Sequence, residues 1–593
     1  DRVAFIASSL PVASYTADRT EFLGRNGTTE DPAALHRTAL SGCVGGGLDP
    51  CGALQVVIDL EPNSETEVVF LLGEAENPDS VREIVQRFRQ PGAASASLDT
   101  TRSWWNRFLS TVEVDMPEQE GAEIEPLLNR WLLYQGLSCR VWGRSAFYQS
   151  GGAFGFRDQL QDVLALLYAA PGIARTQIIR AAARQFVEGD VQHWWHPPGG
   201  GGVRTRISDD LLWLPFAVAQ YVRVTGDTAI LDEEIPFLFG KLLGEEDHEA
   251  YFVPDVTSET ASLLEHCRRA LSKGLTSSDL HGLPLIGGGD WNDGLNRVGI
   301  EGKGESVWLA WFLVHVLHDF AELLETRGGE AEKAEAAESR VHAQELTGKI
   351  DETAWDGAWY RRAYFDDGTP LGSQENDEAR IDSLSQSWAV IVGTGDPERA
   401  SQALDSATEH LYRPDPGMML LFTPPLDKTP HDPGYIKGYV PGVRENGGQY
   451  THGSLWVPLA LARRGDGDKA VEILRAMSPT WHTRTSEEAD LYKVEPYVVV
   501  ADIYALEGQV GRGGWTWYTG ASGWMYRIWI EEVLGLRVRG DGFTLDPCIP
   551  KDWDGFTLRY RRGNGLYEIT VTNPEHVSRG VASVEQESER LTV

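Results

Sequence analysis

Cysteine is scarce and scattered in this chain: Cys43, Cys51, Cys139, Cys267 and Cys548 are all there are in 593 residues. Their number is odd, no two form a CxxC pair, and none stands with histidines at zinc-ligand spacing. Neither a disulfide framework nor a structural zinc site is expected. Cytoplasmic free thiols are the expectation, with Cys43 and Cys51 the one pair that export would allow to join. Positive charge is short too, since 53 Lys and Arg face 88 Asp and Glu, a formal charge of -35. Nucleic acids and anionic membranes need a basic footprint, so both are excluded as partners. Any bound anion must be held by local donors against an unfavourable overall field. No run of about 18 apolar residues occurs, and no membrane span is expected. The chain opens Asp1-Arg2, without a Met or the basic-then-apolar pattern of a signal peptide, so a boundary within a longer protein is expected. Several motifs are missing as well. There is no Walker A sequence and no HExxH. Gly520-Ala521-Ser522-Gly523 does not fit a nucleophile elbow, and the glycines at 45–47 give no dinucleotide fingerprint. An EF-hand starting at Asp290 fails because its turn glycine would fall on Leu295. No metal or organic cofactor is expected.

The length exceeds one ordinary core, so several domains, or a large toroid with an appendage, are expected. Residues 53–60 and 67–72 are β-rich runs around Pro62-Asn63-Ser64, and residues 79–112 are helical in period, with a break at Pro91-Gly92. From about 123 to 535 the pattern is repeatedly helical: 126–138, 159–169, 175–188, 209–225, 306–325, 331–353, 384–393 and 397–411 each read as amphipathic helices. The charge run 325–345 reads as a solvated helix face. No short repeat is visible, which disfavours a solenoid. Strand alternation returns at 543–545, 556–560 and 567–572.

Between the helices lie loops rich in Gly, Pro, Trp, His and Asp. The densest is Gly287-Gly288-Gly289-Asp290-Trp291-Asn292-Asp293-Gly294. Two carboxylates beside an indole suit cleavage of a sugar bond, which needs an acid for the glycosidic oxygen and a flat apolar face for the ring. An Asx-rich surface turn explains the same letters. Residues 148–159, 193–210, 444–452 and 515–524 share that composition. Each has an ordinary explanation alone; Asp209, for example, reads as a helix cap. Together they supply aromatic platforms and bidentate hydroxyl binders, the two needs of a carbohydrate site.

Four motifs, Phe156-Arg157-Asp158, Gly289 to Gly294, Arg444-Glu445-Asn446-Gly447 to His452, and Tyr518-Thr519-Gly520, resemble the inverting β-glucoside phosphorylases of glycoside hydrolase family 94. The early segments Thr16 to Arg25 and Gly47 to Cys51 are most similar to the phosphorylase-like module of cyclic β-1,2-glucan synthases. The resemblance implies a mainly α fold with β: a partial N-terminal β-sandwich at 1–80, a helical linker at 81–122, an (α/α)6 barrel at 123–535 and a small C-terminal β-domain at 536–593. It makes Asp293 the general acid. Arg157, Asp158 and Trp291 lie around the donor sugar, Arg444 faces the acceptor, and Asp209 and Asp290 join the substrate-binding group. His452, Thr519 and the Gly520 amide form a phosphate cradle. The tract Glu495-Pro496-Tyr497 onward lacks a glutamine that some relatives place near phosphate. Expected partners are a β-glucan oligosaccharide and phosphate, with a homodimer or a larger synthase as the assembly. The expected location is cytoplasmic, as a free enzyme or as part of a membrane-anchored synthase.

The chemistry is coherent. An inverting hydrolase needs a second carboxylate to activate water. A phosphate nucleophile is already anionic and would be repelled by that group. It needs neutral or cationic donors instead. Asp293 has to carry a proton near neutral pH, so burial or a neighbour such as Asp290 is expected to raise its pKa. Two other readings remain open: an inverting hydrolase with Glu495 or Glu445 as base, and a noncatalytic glucan-binding module.

Overall fold

The computed structural model describes residues 2–143, 151–244, 247–586 and 589–591, and the chain divides into two compact units, Asp1–Arg107 and Phe108–Val593.

The first unit is β-rich. Val3–Ser8 pairs antiparallel with Phe70–Ala75, and Val12–Asp18 with Pro50–Val56. These ladders are shorter than the apolar runs suggest on one side: residues 57–69 carry no strand, where Pro62 lacks an N–H and Asn63 turns the chain at φ 62°. The helix Pro78–Phe88 starts where the Asn77 side chain accepts the Asp79 and Ser80 amides, and it leads to Ala93–Leu109. The break between them is at Gly92, φ 76°.

The second unit is mainly helical with short strands, so the chain as a whole is mixed α and β. Its core helix is Val307–Arg327, capped by Ser306 and closed by Gly328 in the left-handed region. By length and composition this helix is apolar enough to cross a membrane, yet 83% of its apolar stretch is buried within the protein. It packs against Glu330–Thr353, which buries Ala336, Ala343, Leu346 and Ile350 and turns its acidic residues outward. Helices expected at 384–393 and 397–411 are Ser383–Val392 and Pro397–Leu411. The run 126–138 is less regular, alternating α and π turns from Leu127–Trp131 to Gly136–Trp142 after Pro126. Leu263–Gly274, Trp456–Arg464 and Gly467–Ala476 are helices that the pattern does not single out.

Two small sheets join segments that are distant in the chain. Glu249–Phe252, Gly201–Thr205, Gln192–His196 and Phe154–Gly155 form one, in that order. In the other, Gly555–Arg562 lies between Gly565–Thr572 and Val112–Asp115, so a segment read as the end of a helical stretch is a strand. All five cysteines are free.

At the centre of the unit Trp308, Trp388, Trp456, Trp524 and Trp291 pack ring on ring. Trp308 and Trp456 stack at 5.9 Å, and Trp388 meets Trp456 edge-on at 5.2 Å. Such contacts favour fixed rotamers over mere burial. Trp291 brings this cluster to the wall of a cavity.

Candidate active site

The glycine-rich loop owes its shape to its glycines. Gly287 has φ 58°, and a Cβ there would sit 2.3 Å from the Arg206 carbonyl oxygen; Gly289 has φ 120°. Asn292 then caps the turn Asp293–Leu295 by accepting the Gly294 amide. The two aspartates of this loop end up in different places. Asp290 is fully buried: Arg362 clasps it through both oxygens at 2.6 Å, and the Ser306 hydroxyl donates to it at 2.6 Å. Burial works against its charge, but the Arg362 guanidinium and these donors hold its carboxyl below the usual range. Asp293 instead lines the cavity, whose volume is about 340 Å³.

Arg157, on the helix Phe156–Asp162, braces that loop. Its Nη2 donates to Asp293 Oδ1 at 2.5 Å, and its Nη1 donates to the Asp290 carbonyl at 2.9 Å and to Asp209 Oδ1 at 2.8 Å. Asp209 is itself fully buried and also accepts from Trp213 Nε1. Burial pushes its carboxyl up. Neither Asp209 nor Asp290 reaches the cavity. Substrate contact is expected of both from the sequence, whereas the structure places both behind the wall, where they hold Arg157 and the 287–294 loop.

Asp158, Arg157, Trp291, Arg444, His452, Thr519 and Gly520 all line the cavity with Asp293. On one side, Trp291 Nε1 donates to His452 Nδ1 at 3.0 Å with the two rings stacked. Nδ1 is thereby the acceptor, and the neutral ring carries its proton on Nε2. Burial, helped by Arg140 and Arg157, drives His452 down to about 3. A Cβ on Gly520 would lie 3.5 Å from His452 Nε2, so the Gly520 backbone and the Nε2–H edge are neighbours. Thr519 Oγ1 accepts from the Ala521 amide, which leaves its hydroxyl proton to donate elsewhere.

On another side, Arg444 sits at φ 53° with its amide donating to Asp502 Oδ2, and its guanidinium pairs with Glu445 and lies over the Tyr439 ring. Asp502 Oδ1 also accepts the Trp515 amide, so one buried carboxylate ties the Arg444 and Trp515 loops together. Burial raises Glu445, and the charge of Asp293 adds to this. Glu495 lines no part of the cavity; Thr516 and Trp517 occupy its two oxygens.

Of the further lining residues, Arg140 carries no signal in the sequence, whereas His193 lies in the 193–210 loop that its composition marks. Arg140, 4% exposed, meets Asp162 at 2.9 Å and lies over the Tyr518 ring; burial opposes its charge, but Asp162 raises its pKa. His193 bonds Asp210 at 2.8 Å. Tyr435 and Tyr439 sit in a Gly-aromatic segment whose composition matches the other loops and was a signal available for them. Tyr148, Gln149 and Ser150 lie outside the described residues. Among the described residues no group of His, Cys, Asp and Glu is placed to hold a metal ion.

Residues 104–535 match the glycosyl hydrolase 94 superfamily catalytic domain, and residues 1–91 match the glycosyl hydrolase 94 supersandwich domain. The chain is 47% identical to the cyclic beta-(1,2)-glucan synthase NdvB of Rhizobium meliloti (strain 1021) over 98% of its own length, but spans only 20% of that protein. It is 30% identical to the solabiose phosphorylase of Paenibacillus borealis, over 97% of this chain and 70% of the relative. Among solved structures, a bacterial glucoamylase complexed with acarbose superposes with a TM-score of 0.51 at 11% identity, covering 90% of this chain and 71% of that one; this is a likeness of fold alone.

Proposed function

The chain belongs to the glycosyl hydrolase 94 superfamily, and from that premise we propose that it carries out inverting phosphorolysis of a β-linked glucan, β-1,2-glucan in particular. The products are α-glucose 1-phosphate and a chain one unit shorter, and the reaction runs in both directions. The helices of the second unit are taken as an (α/α)6 barrel with the cavity at one end. No cofactor takes part; phosphate is a co-substrate.

One observation carries the reading. The cavity joins the Asp293 carboxyl, braced by Arg157, to a cluster of donors, His452 Nε2–H, the Thr519 hydroxyl and the Gly520 backbone. Asp293 protonates the glycosidic oxygen while a phosphate oxygen attacks C1 from the other face of the ring. His452, Thr519 and Gly520 hold the phosphate, and Arg140 supplies positive charge beside it. In this role Arg140 offsets the absent glutamine. Trp291 and Asp158 shape the donor subsite. Arg444, Tyr439 and Trp515 face the acceptor. The linkage preference rests on the likeness to the glucan synthase, of which this chain spans a fifth; within such a protein the same site would shorten or extend the glucan chains made elsewhere.

Glu445 favours a second reading. It lines the same cavity as Asp293, so inverting hydrolysis with Glu445 as base has a geometric footing. The deciding experiment incubates the chain with β-1,2-oligoglucan with and without phosphate. Glucose 1-phosphate formed only with phosphate is the expected result, and equal turnover without it overturns phosphorolysis. In reverse, phosphate release from glucose 1-phosphate should be faster with sophorose as acceptor than with cellobiose or laminaribiose.

A further inference from the structure

Three segments of chain meet behind Asp293. His193, on the strand Gln192–His196, has Nδ1 2.8 Å from Asp210 Oδ2 and Nε2 3.7 Å from Asp293 Oδ2. Asp210 begins the turn Asp210–Leu212 and is 1% exposed. Among the described residues the other charged group facing this imidazole is Arg157, whose Nε is 3.7 Å from Asp210 Oδ1 and whose Nη2 holds Asp293 Oδ1; Asp209 stands behind that guanidinium.

The geometry constrains the protons. A buried carboxylate against Nδ1 requires an N–H there. Nε2 therefore carries a proton only when the ring is an imidazolium. A neutral ring would point a lone pair at Asp293, which is tolerable only if Asp293 brings the proton. Either way the gap between Nε2 and Oδ2 holds one proton, and a closure of under about 1 Å brings it to hydrogen-bond distance.

We propose that Asp293 and His193 share a single proton fixed by Asp210, and that His193 is the positioning residue that recharges the acid in each turnover. The proposal rests on the reading of Asp293 as the acid. In the empty site the proton lies on Nε2. Burial disfavours a charge there, but the Asp210 carboxylate and its hydrogen bond, with Asp293 beyond, raise His193 to about 9. On binding, the Nε2–H bond breaks and an O–H bond forms on Asp293, leaving a neutral ring on Asp210. Asp293 passes that proton to the glycosidic oxygen as the C1–O bond breaks with its electron pair on oxygen and a phosphate oxygen bonds to C1. Hydrogen phosphate arrives with a proton of its own; the glucosyl phosphate releases it, and Nε2 takes one up. The net transfer is from hydrogen phosphate to the departing hydroxyl.

The test compares pH profiles of kcat/KM for the whole chain, wild type against His193→Asn and Asp210→Asn. The alkaline limb should move to lower pH by about one unit or more in both, with activity near neutral pH down about tenfold or more. A loss of rate with the limb unmoved marks a merely structural role and overturns the proposal. A second measurement needs no turnover: in 15N-histidine-labelled protein, Asp293→Asn should shift the titration of His193. A titration that stays where it was refutes the shared proton. Absence of phosphate-dependent product from wild type would instead refute phosphorolysis, leaving the labelled titration to decide the proton.

Discussion

Two walls of one cavity each present a histidine, and the surroundings push the two imidazoles in opposite directions. His193 is held up at about 9 and His452 down at about 3. Burial penalises the cation in both. The surroundings differ: His193 has a carboxylate oxygen of Asp210 at Nδ1, whereas His452 has the indole N–H of Trp291 there and the Arg140 and Arg157 charges nearby. A carboxylate in hydrogen-bond contact outweighs desolvation, whereas a donor in the same place adds to it. The cavity thus has a proton-rich side at His193 and Asp293, and a second side where His452, Thr519 and Gly520 present donors and where the proposed phosphate would lie. Asp290 and Asp293 show the same logic in one loop, since the member with a dedicated guanidinium is buried and the other is left to the cavity.

The contrast can be broken most severely at Asp293, the proposed acid. Asp293→Asn should lower kcat by about 10²–10⁴-fold with little change in KM, read from glucose 1-phosphate formation. A smaller loss would mean that the proton-rich side is not where the chemistry occurs. Next comes the buried pair behind it. Arg362→Met strands the Asp290 carboxylate and should cost about 3–5 kcal/mol of stability in denaturant unfolding, far more than Arg444→Met, whose side chain is half exposed. Trp291→Phe keeps the ring but removes the donor to His452. The imidazole can then present either nitrogen, and KM for phosphate should rise about tenfold, while the alkaline limb of the rate profile stays in place.

The smallest effect is on stability against pH, and its sign differs between the two histidines. His452 titrates below its unfolded value of about 6.5, so the unfolded chain takes up the proton first. Its contribution is complete above that value and is lost progressively as the pH falls towards about 3. His193 is raised, so its contribution is complete below about 6.5 and is lost as the pH rises through about 9. Melting curves of His452→Gln should fall less than wild type on acidification, and those of His193→Asn less than wild type on going alkaline. Parallel curves for all three proteins would remove the contrast.

Much of this site is legible in the sequence because the loops that build it are compositionally unlike the rest. Glycines mixed with aromatic or charged residues mark 287–294, 444–452 and 515–524, and each of these segments reaches the cavity. What the letters do not show is direction. Asp290 and Asp293 are equivalent as characters, and only Arg362, far along the chain, separates them. Arg140 lies in an irregular helical stretch with nothing to mark it, and its place above Tyr518 depends on tertiary packing. Helices followed the periodicity where one face is polar, as in Pro397–Leu411, with Ala400, Ala403, Leu404 and Ala407 buried. Trp456–Arg464 is apolar nearly all round and buried on most sides, so it has no periodicity to read.

The strand Val112–Asp115 stands near the start of the second unit and finds its partner, Gly555–Arg562, near the end. During synthesis this strand emerges from the ribosome long before its neighbour exists, and its edge waits unpaired while every helix between is made. Closure of the unit is therefore a late event, timed by the arrival of the last segment rather than by the speed of helix formation. A chain cut short before residue 555 would retain every residue of the cavity and still lack the seam that joins its two ends.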